Sequence, residues 1–147
     1  MSAGPLHLVA SGDNYTLHLD GGVVVLRVWS RRDMTFARGA ALAQAKLEHL
    51  RRLIERPGVA ALLFDLVDAP AVVGPVTEQA VCEMIGVFAE RGRPVAVVVG
   101  ERPLQALQFT RLVHKVCGPD AENGRGLVTH DRAEADAFVR AAASDAT

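Results

Sequence analysis

Five histidines, two cysteines and four serines are the residues of this chain best suited to metal binding or nucleophilic chemistry. His7, His18, His49, His114 and His130 are scattered. None stands four residues from another, the spacing that sets two imidazoles on one helical face, so no metal site is expected. Ser2, Ser11, Ser30 and Ser144 avoid the sharp strand-to-helix turn that exposes a hydrolase nucleophile. Cys82 and Cys117 fall in separate predicted helices without Cys-x-x-Cys spacing and read as small core residues. Cys117 lies one helical turn from His114, the spacing of a thiolate pair, but a catalytic pair also needs an orienting group and a pocket. The glycine-containing segment Gly118 to Gly126 is acidic and precedes a strand, whereas a phosphate cradle precedes a helix. Arg27, Arg31, Arg32 and Arg38 have no interleaved aromatic residues to stack bases and read as a solvated rim. No catalytic residue, metal or cofactor is therefore expected, and the chain reads as a non-enzyme.

The elements that must hold such residues are those of one domain, residues 1–147, with 50% hydrophobic residues to supply a core. Sixteen Lys and Arg against 17 Asp and Glu give no overall field toward nucleic acid or an anionic membrane, and neither is expected as a partner. The start of the chain lacks the basic and apolar pattern of a secretion signal, and the longest apolar runs are of strand length. The expectation is a cytoplasmic protein without membrane insertion. Abundant Ala, Arg, Gly and Val suggest a GC-rich bacterial genome.

Residues 6–10 and 15–20 alternate in period two and predict strands, with turn formers at 11–14 and 20–22 that tolerate positive φ. Val23–Trp29 is more continuously apolar and predicts an interior strand. From Thr35 the period changes: Phe36, Ala40, Ala43, Leu47, Leu50 and Ile54 form a helical stripe, ended by Pro57 and Gly58. Residues 59–66 and 95–99 predict further strands, 74–91 and 103–117 helices, and 127–129 a last strand before a helix capped by Asp131. An antiparallel meander followed by βα units implies an α/β fold, a mixed sheet with helices packed on it. Phe36, Leu47, Leu50, Leu63, Phe88, Val97, Phe109 and Val113 are expected to be buried together.

The order of these elements, with several local phrases, resembles the STAS family, the domain of anti-sigma-factor antagonists and of the cytoplasmic tails of anion transporters. The resemblance covers about residues 15–142 and rests on the strand Val23–Trp29, the helix over 42–54, and the strand that carries Asp65 and Leu66. Residues 88–99 and 126–135 add a helix end with its turn and strand, and a closing strand with its helix. It implies a STAS-like mixed sheet and a signalling role in which the loop between Asp65 and Glu78 meets a protein partner. The family usually carries Asp-Ser-Ser-Gly in that loop. Without a gap from Asp65, Val73, Gly74, Pro75 and Val76 stand there instead, so the phosphorylatable serine is a glycine. Pro75 suits the first helical position. Thr77 shares a helical face with Val81, Met84 and Phe88 and reads as a half-buried residue, not a phosphate acceptor.

The resemblance thus implies a regulatory protein-binding module without the usual serine phosphoswitch, its candidate partner residues being Asp68, Pro70, Val73, Gly74, Pro75, Thr77 and Glu78. An anti-sigma-factor-like kinase or another regulator is the implied partner, and exposed sheet edges leave a homodimer open. Two alternatives stand beside it: a STAS-like sensor for a small anion, nucleotide or lipid at the same helix start, and a thiol-dependent enzyme using Cys117. Glu78 in the first turn opposes an anion there. Gly74→Asp, imitating a phosphate, is expected to weaken partner binding at little cost to the fold, and Thr77→Glu to cost stability.

Overall fold

The structure is a computed structural model and describes residues 7–69, 74–118 and 126–145. Six strands form one sheet in chain order: β1 (His7–Gly12), β2 (Tyr15–Asp20), β3 (Val23–Trp29), β4 (Ala61–Asp68), β5 (Val95–Val99) and β6 (Gly126–Thr129). The helices are α1 (Phe36–Leu53), α2 (Pro75–Ala89), α3 (Pro103–Cys117) and α4 (Arg132–Asp145). β1 to β3 pair antiparallel, and β3 to β6 pair parallel. This is the mixed α/β architecture that the change of period implies, with β3, β4 and β5 adjacent. The second hairpin turns through Gly21 at φ 59°; the first, at Asp13 and Asn14, does so without any positive φ, contrary to expectation. Among the described residues no helix is long and apolar enough to cross a membrane.

Strand alternation divides the sheet between two cores. Val24, Leu26, Leu62, Phe64, Leu66, Val95 and Val97 face α1, α2 and α3, where Leu47, Leu50, Ile85, Phe88, Phe109 and Val113 close the larger core. The opposite face offers Val23, Ala61, Leu63, Ala96 and Val98 to Ala135 and Val139 of α4. Leu63 is accordingly buried, but in the second core and apart from the other residues expected with it.

Phe36 corrects the expectation more sharply, since it is 79% exposed. It is the first residue of α1, immediately after Thr35, whose hydroxyl accepts from the Arg38 N–H at 3.1 Å and caps the helix. The stripe therefore reaches the core only from Ala43 onward, and its first turn presents Phe36 to solvent. β4 also runs to Asp68, two residues past its expected end, because Asp68 still pairs with Trp29 of β3.

Candidate functional site

In the parallel part of the sheet each helix returns antiparallel to the strand before it, so the first turns of α1, α2 and α3 gather at the carboxyl ends of β3, β4 and β5. Open α/β sheets bind ligands at this end. Two backbone stitches hold the strand exits together: Ser30 N–H donates to Asp68 O, and Trp29 N–H donates to Asn14 O, each at 3.0 Å. The first turn of α1 is tied to the β1–β2 hairpin by Arg38, which reaches the Asp13 carboxylate at 2.6 Å and holds its pKa below the ordinary Asp value. Arg31 donates to Asp33 and to the Asp13 carbonyl, and Arg27 pairs with Asp68 at 3.0 Å. Three of the four arginines that resembled a rim are thus matched to carboxylates.

Of the expected partner-loop residues, the structure brings Gly74, Pro75 and Thr77 together along a groove that also includes Phe36, Ala37, Ala40 and Val76. Thr77 is half-buried, as its shared face with Val81, Met84 and Phe88 requires. Glu78 is exposed in the first turn of α2, where its charge suits the helix N-terminus. Asp68 is not a loop residue: it ends β4, with its carboxylate on Arg27. Pro70 and Val73 lie outside the described residues.

Gly74 overturns the expected ease of substitution. Its φ of 89° and ψ of 148° place it where L side chains are strained, and it starts α2 without a side-chain cap. An Asp at this position cannot keep that backbone and act as an ordinary N-cap, so Gly74→Asp strains the fold as well as adding charge.

Beyond the groove a deeper cleft of about 310 Å³ opens between the sheet and the two helices. Exposed Ser30, Arg31, Thr35 and Phe36 stand at its outer part; buried Phe64, Met84 and Phe109 lie at its floor. Gly39, Ala43 and Lys46 line it from α1, and Thr77, Val81 and Met84 from α2, in each case at the three- and four-residue spacing of a single helical face. Two polar groups stand out in this apolar setting. Lys46 is only 5% exposed, its ammonium sits 5.1 Å from the centre of the Tyr15 ring, and burial pulls its pKa down from 10.5 to about 8. Asn14 Oδ1 is buried without a hydrogen-bond partner. Among the described residues no Asp or Glu lines the cleft.

A third buried polar residue, Gln105, is fully engaged. It is 1% exposed, accepts from the Gly100 N–H at 2.9 Å, and donates to Leu66 O and Ala69 O at 2.9 and 3.0 Å. Gly100 is also pressed against the end of β4, since a Cβ there would stand 2.8 Å from Val67 O. Sequence reasoning passed over both Lys46 and Gln105, although each interrupts an apolar helical stripe and so carried a legible signal.

The cysteines offer less. Cys82 is buried, and burial raises its thiol pKa, away from the thiolate that chemistry requires. Cys117 is half-buried near the end of α3. Among the described residues no group of three His, Cys, Asp or Glu side chains is arranged to hold a metal ion.

No family model matches the sequence, and no curated protein matches it significantly. Among solved structures the chain is similar to an enoyl-CoA hydratase/carnithine racemase from Magnetospirillum magneticum, at 12% identity and a TM-score of 0.40 over 92% of this chain and 75% of that one. So distant a likeness bears on neither activity nor mechanism.

Proposed function

We propose that this chain is a non-enzymatic, STAS-like protein-binding module that presents the carboxyl end of its sheet to a protein partner in a bacterial cytoplasmic regulatory pathway. The observation that carries the reading is where the exposed apolar surface lies. Of the six large hydrophobic residues exposed among those described, Phe36, Val67, Val76, Leu104 and Leu107 belong to the end of β4 and the first two turns of α1, α2 and α3. Only Leu8, on β1, stands elsewhere. Apolar surface concentrated at one end of a domain marks an interaction site. The STAS resemblance implies a partner contact on the loop between Asp65 and Glu78, whose described ends, Asp65 to Ala69 and Gly74 to Glu78, belong to the same end. Because a glycine occupies the position of the acceptor serine, the surface offers no phosphate switch there, and the partner, an anti-sigma-factor-like kinase or similar regulator, meets a constant surface.

The test is co-purification of the native protein with its partner, followed by Phe36→Asp, Val76→Asp and Leu104→Asp. Each side chain is already exposed, so melting temperatures should move little while the co-purifying protein is lost. Leu8→Asp should retain it. A partner still held by all three end variants, or lost with Leu8→Asp alone, refutes this surface. A sedimentation shift from dimer to monomer in the same variants would give the surface to a second copy of the chain instead.

A further inference from the structure

Partner binding does not account for the cleft around Lys46, where a cation stands in an apolar cavity with no carboxylate among the described lining residues to balance it. We infer that this cleft binds a small organic acid, with its carboxylate on Lys46 Nζ and its hydrocarbon body among Val81, Met84, Phe64 and Phe109. Three observations carry this inference. First, the cavity is of ligand size, about 310 Å³, and leads from exposed loop residues to a buried apolar floor. Second, its lining is one-signed: among the described residues Lys46 and Arg31 contribute positive charge and no acidic side chain contributes any. Arg31 is already held by Asp33, which leaves Lys46 as the cation facing the interior. Third, the cation inside is unfinished: among the described residues the Lys46 ammonium has only the face of Tyr15.

A buried lysine that served packing alone would be better replaced by Met or Leu, which fill the same length without desolvating a charge. Its place on the buried face of α1, between Ala43 and Leu50, is explained by a ligand that supplies the missing anion. An acid fits better than a phosphate ester. A carboxylate carries one charge for one lysine, and the apolar floor favours a hydrocarbon body. Phe36 and Thr77 border both the cleft and the outer groove, but Lys46 lines the cleft alone and Val76 the groove alone, so Lys46→Met and Val76→Asp let either reading fail without the other.

Octanoate, 1-octanol and octylamine share one chain and differ only in head charge, so together they test it. Octanoate should raise the melting temperature saturably and bind at least about tenfold more tightly than octanol, as a charge-assisted contact does. Octylamine should bind weakest. Lys46→Met should remove the preference for octanoate over octanol, and Lys46→Arg should keep part of it. In NMR titrations of the unaltered protein, octanoate should shift the amides of Ala43, Lys46, Val81 and Met84. The inference is overturned if octanol binds as tightly as octanoate, if Lys46→Met binds octanoate undiminished, or if the shifted amides lie only along the outer groove at Ala37, Gly74 and Val76.

Discussion

At the scale of single residues, Lys46 sets a stability penalty that pH should relieve. Below about pH 8 its amine is protonated in the folded and unfolded states alike, and the folded state bears the full cost of keeping that charge out of water. Between about 8 and 10.5 the folded protein sheds the proton while the unfolded chain keeps it, so the unfolded state binds more protons and stability rises with pH across that window. The ionisable neighbour that faces the amine is Tyr15, whose own pKa is raised by burial. Its contribution is common to wild type and to a Lys46 variant and cancels in their difference. Lys46→Met should therefore be more stable than wild type by about 2 kcal/mol at pH 7, after allowing for the lost contact with the ring. Denaturant melts at pH 7 and pH 10 should show that advantage shrinking at the higher pH; an advantage equal at both would mean that the lysine is not desolvated in the folded state. The sequence contained this site as an anomaly, a lysine on the apolar face of α1, but its partners on β2, β4 and α2 are distant along the chain and no local rule brings them together. Gly74 was legible as a helix start and illegible as a strained one, because φ is decided by the path the chain takes from β4.

At the scale of elements, periodicity carried most of the information. The switch from alternation to a three-and-four repeat at Thr35, and the short apolar runs between later helices, account for every strand and helix of the sheet's parallel half. What periodicity cannot report is where a helix outruns the sheet, which is why Phe36 continues the stripe and yet is exposed. Nor does it say how adjacent strand ends are joined, the task of Gln105. That side chain ties the start of α3 to the exit of β4 through two hydrogen bonds and to the exit of β5 through a third, and it lies four residues before Phe109 on the same buried face. Gln105→Leu keeps the bulk but leaves Leu66 O, Ala69 O and the Gly100 N–H without that partner. The expected loss is about 2 to 4 kcal/mol by denaturant melts, with the amide resonance of Gly100 displaced. A loss below about 0.5 kcal/mol would mean that water or neighbouring backbone replaces the glutamine at no cost.

At the scale of the whole molecule, the sheet is covered unequally, and that asymmetry predicts how it opens. Three helices and the large side chains Phe64, Phe88 and Phe109 close one face. The other rests on α4, whose buried contribution among its described side chains is Ala135 and Val139, with Phe138 partly buried beside them. Apolar burial stabilises by about 25 cal/mol per Å², so an alanine and a valine hold α4 far less firmly than the aromatic residues hold the opposite helices. Two ion pairs supplement them: Arg132 reaches the largely buried carboxylate of Asp65 at 3.1 Å, and Arg140 reaches Asp20 at 2.7 Å. The arginines of both pairs are partly exposed, so salt should weaken each of them. Native-state hydrogen exchange should therefore find the α4 amides opening as one unit at a lower free energy than β4 and β5, and 0.5 M salt should lower it further while leaving the strands nearly unchanged. The separation can also be widened deliberately: Arg132→Ala leaves Asp65 with the Val67 N–H but without its cation, and should speed exchange across α4 more than across α2 or α3. If α4 exchanges only through global unfolding, at the same free energy as β4, then two small side chains and two ion pairs suffice to make the second face as firm as the first, and the inequality read from the cores is not one of stability.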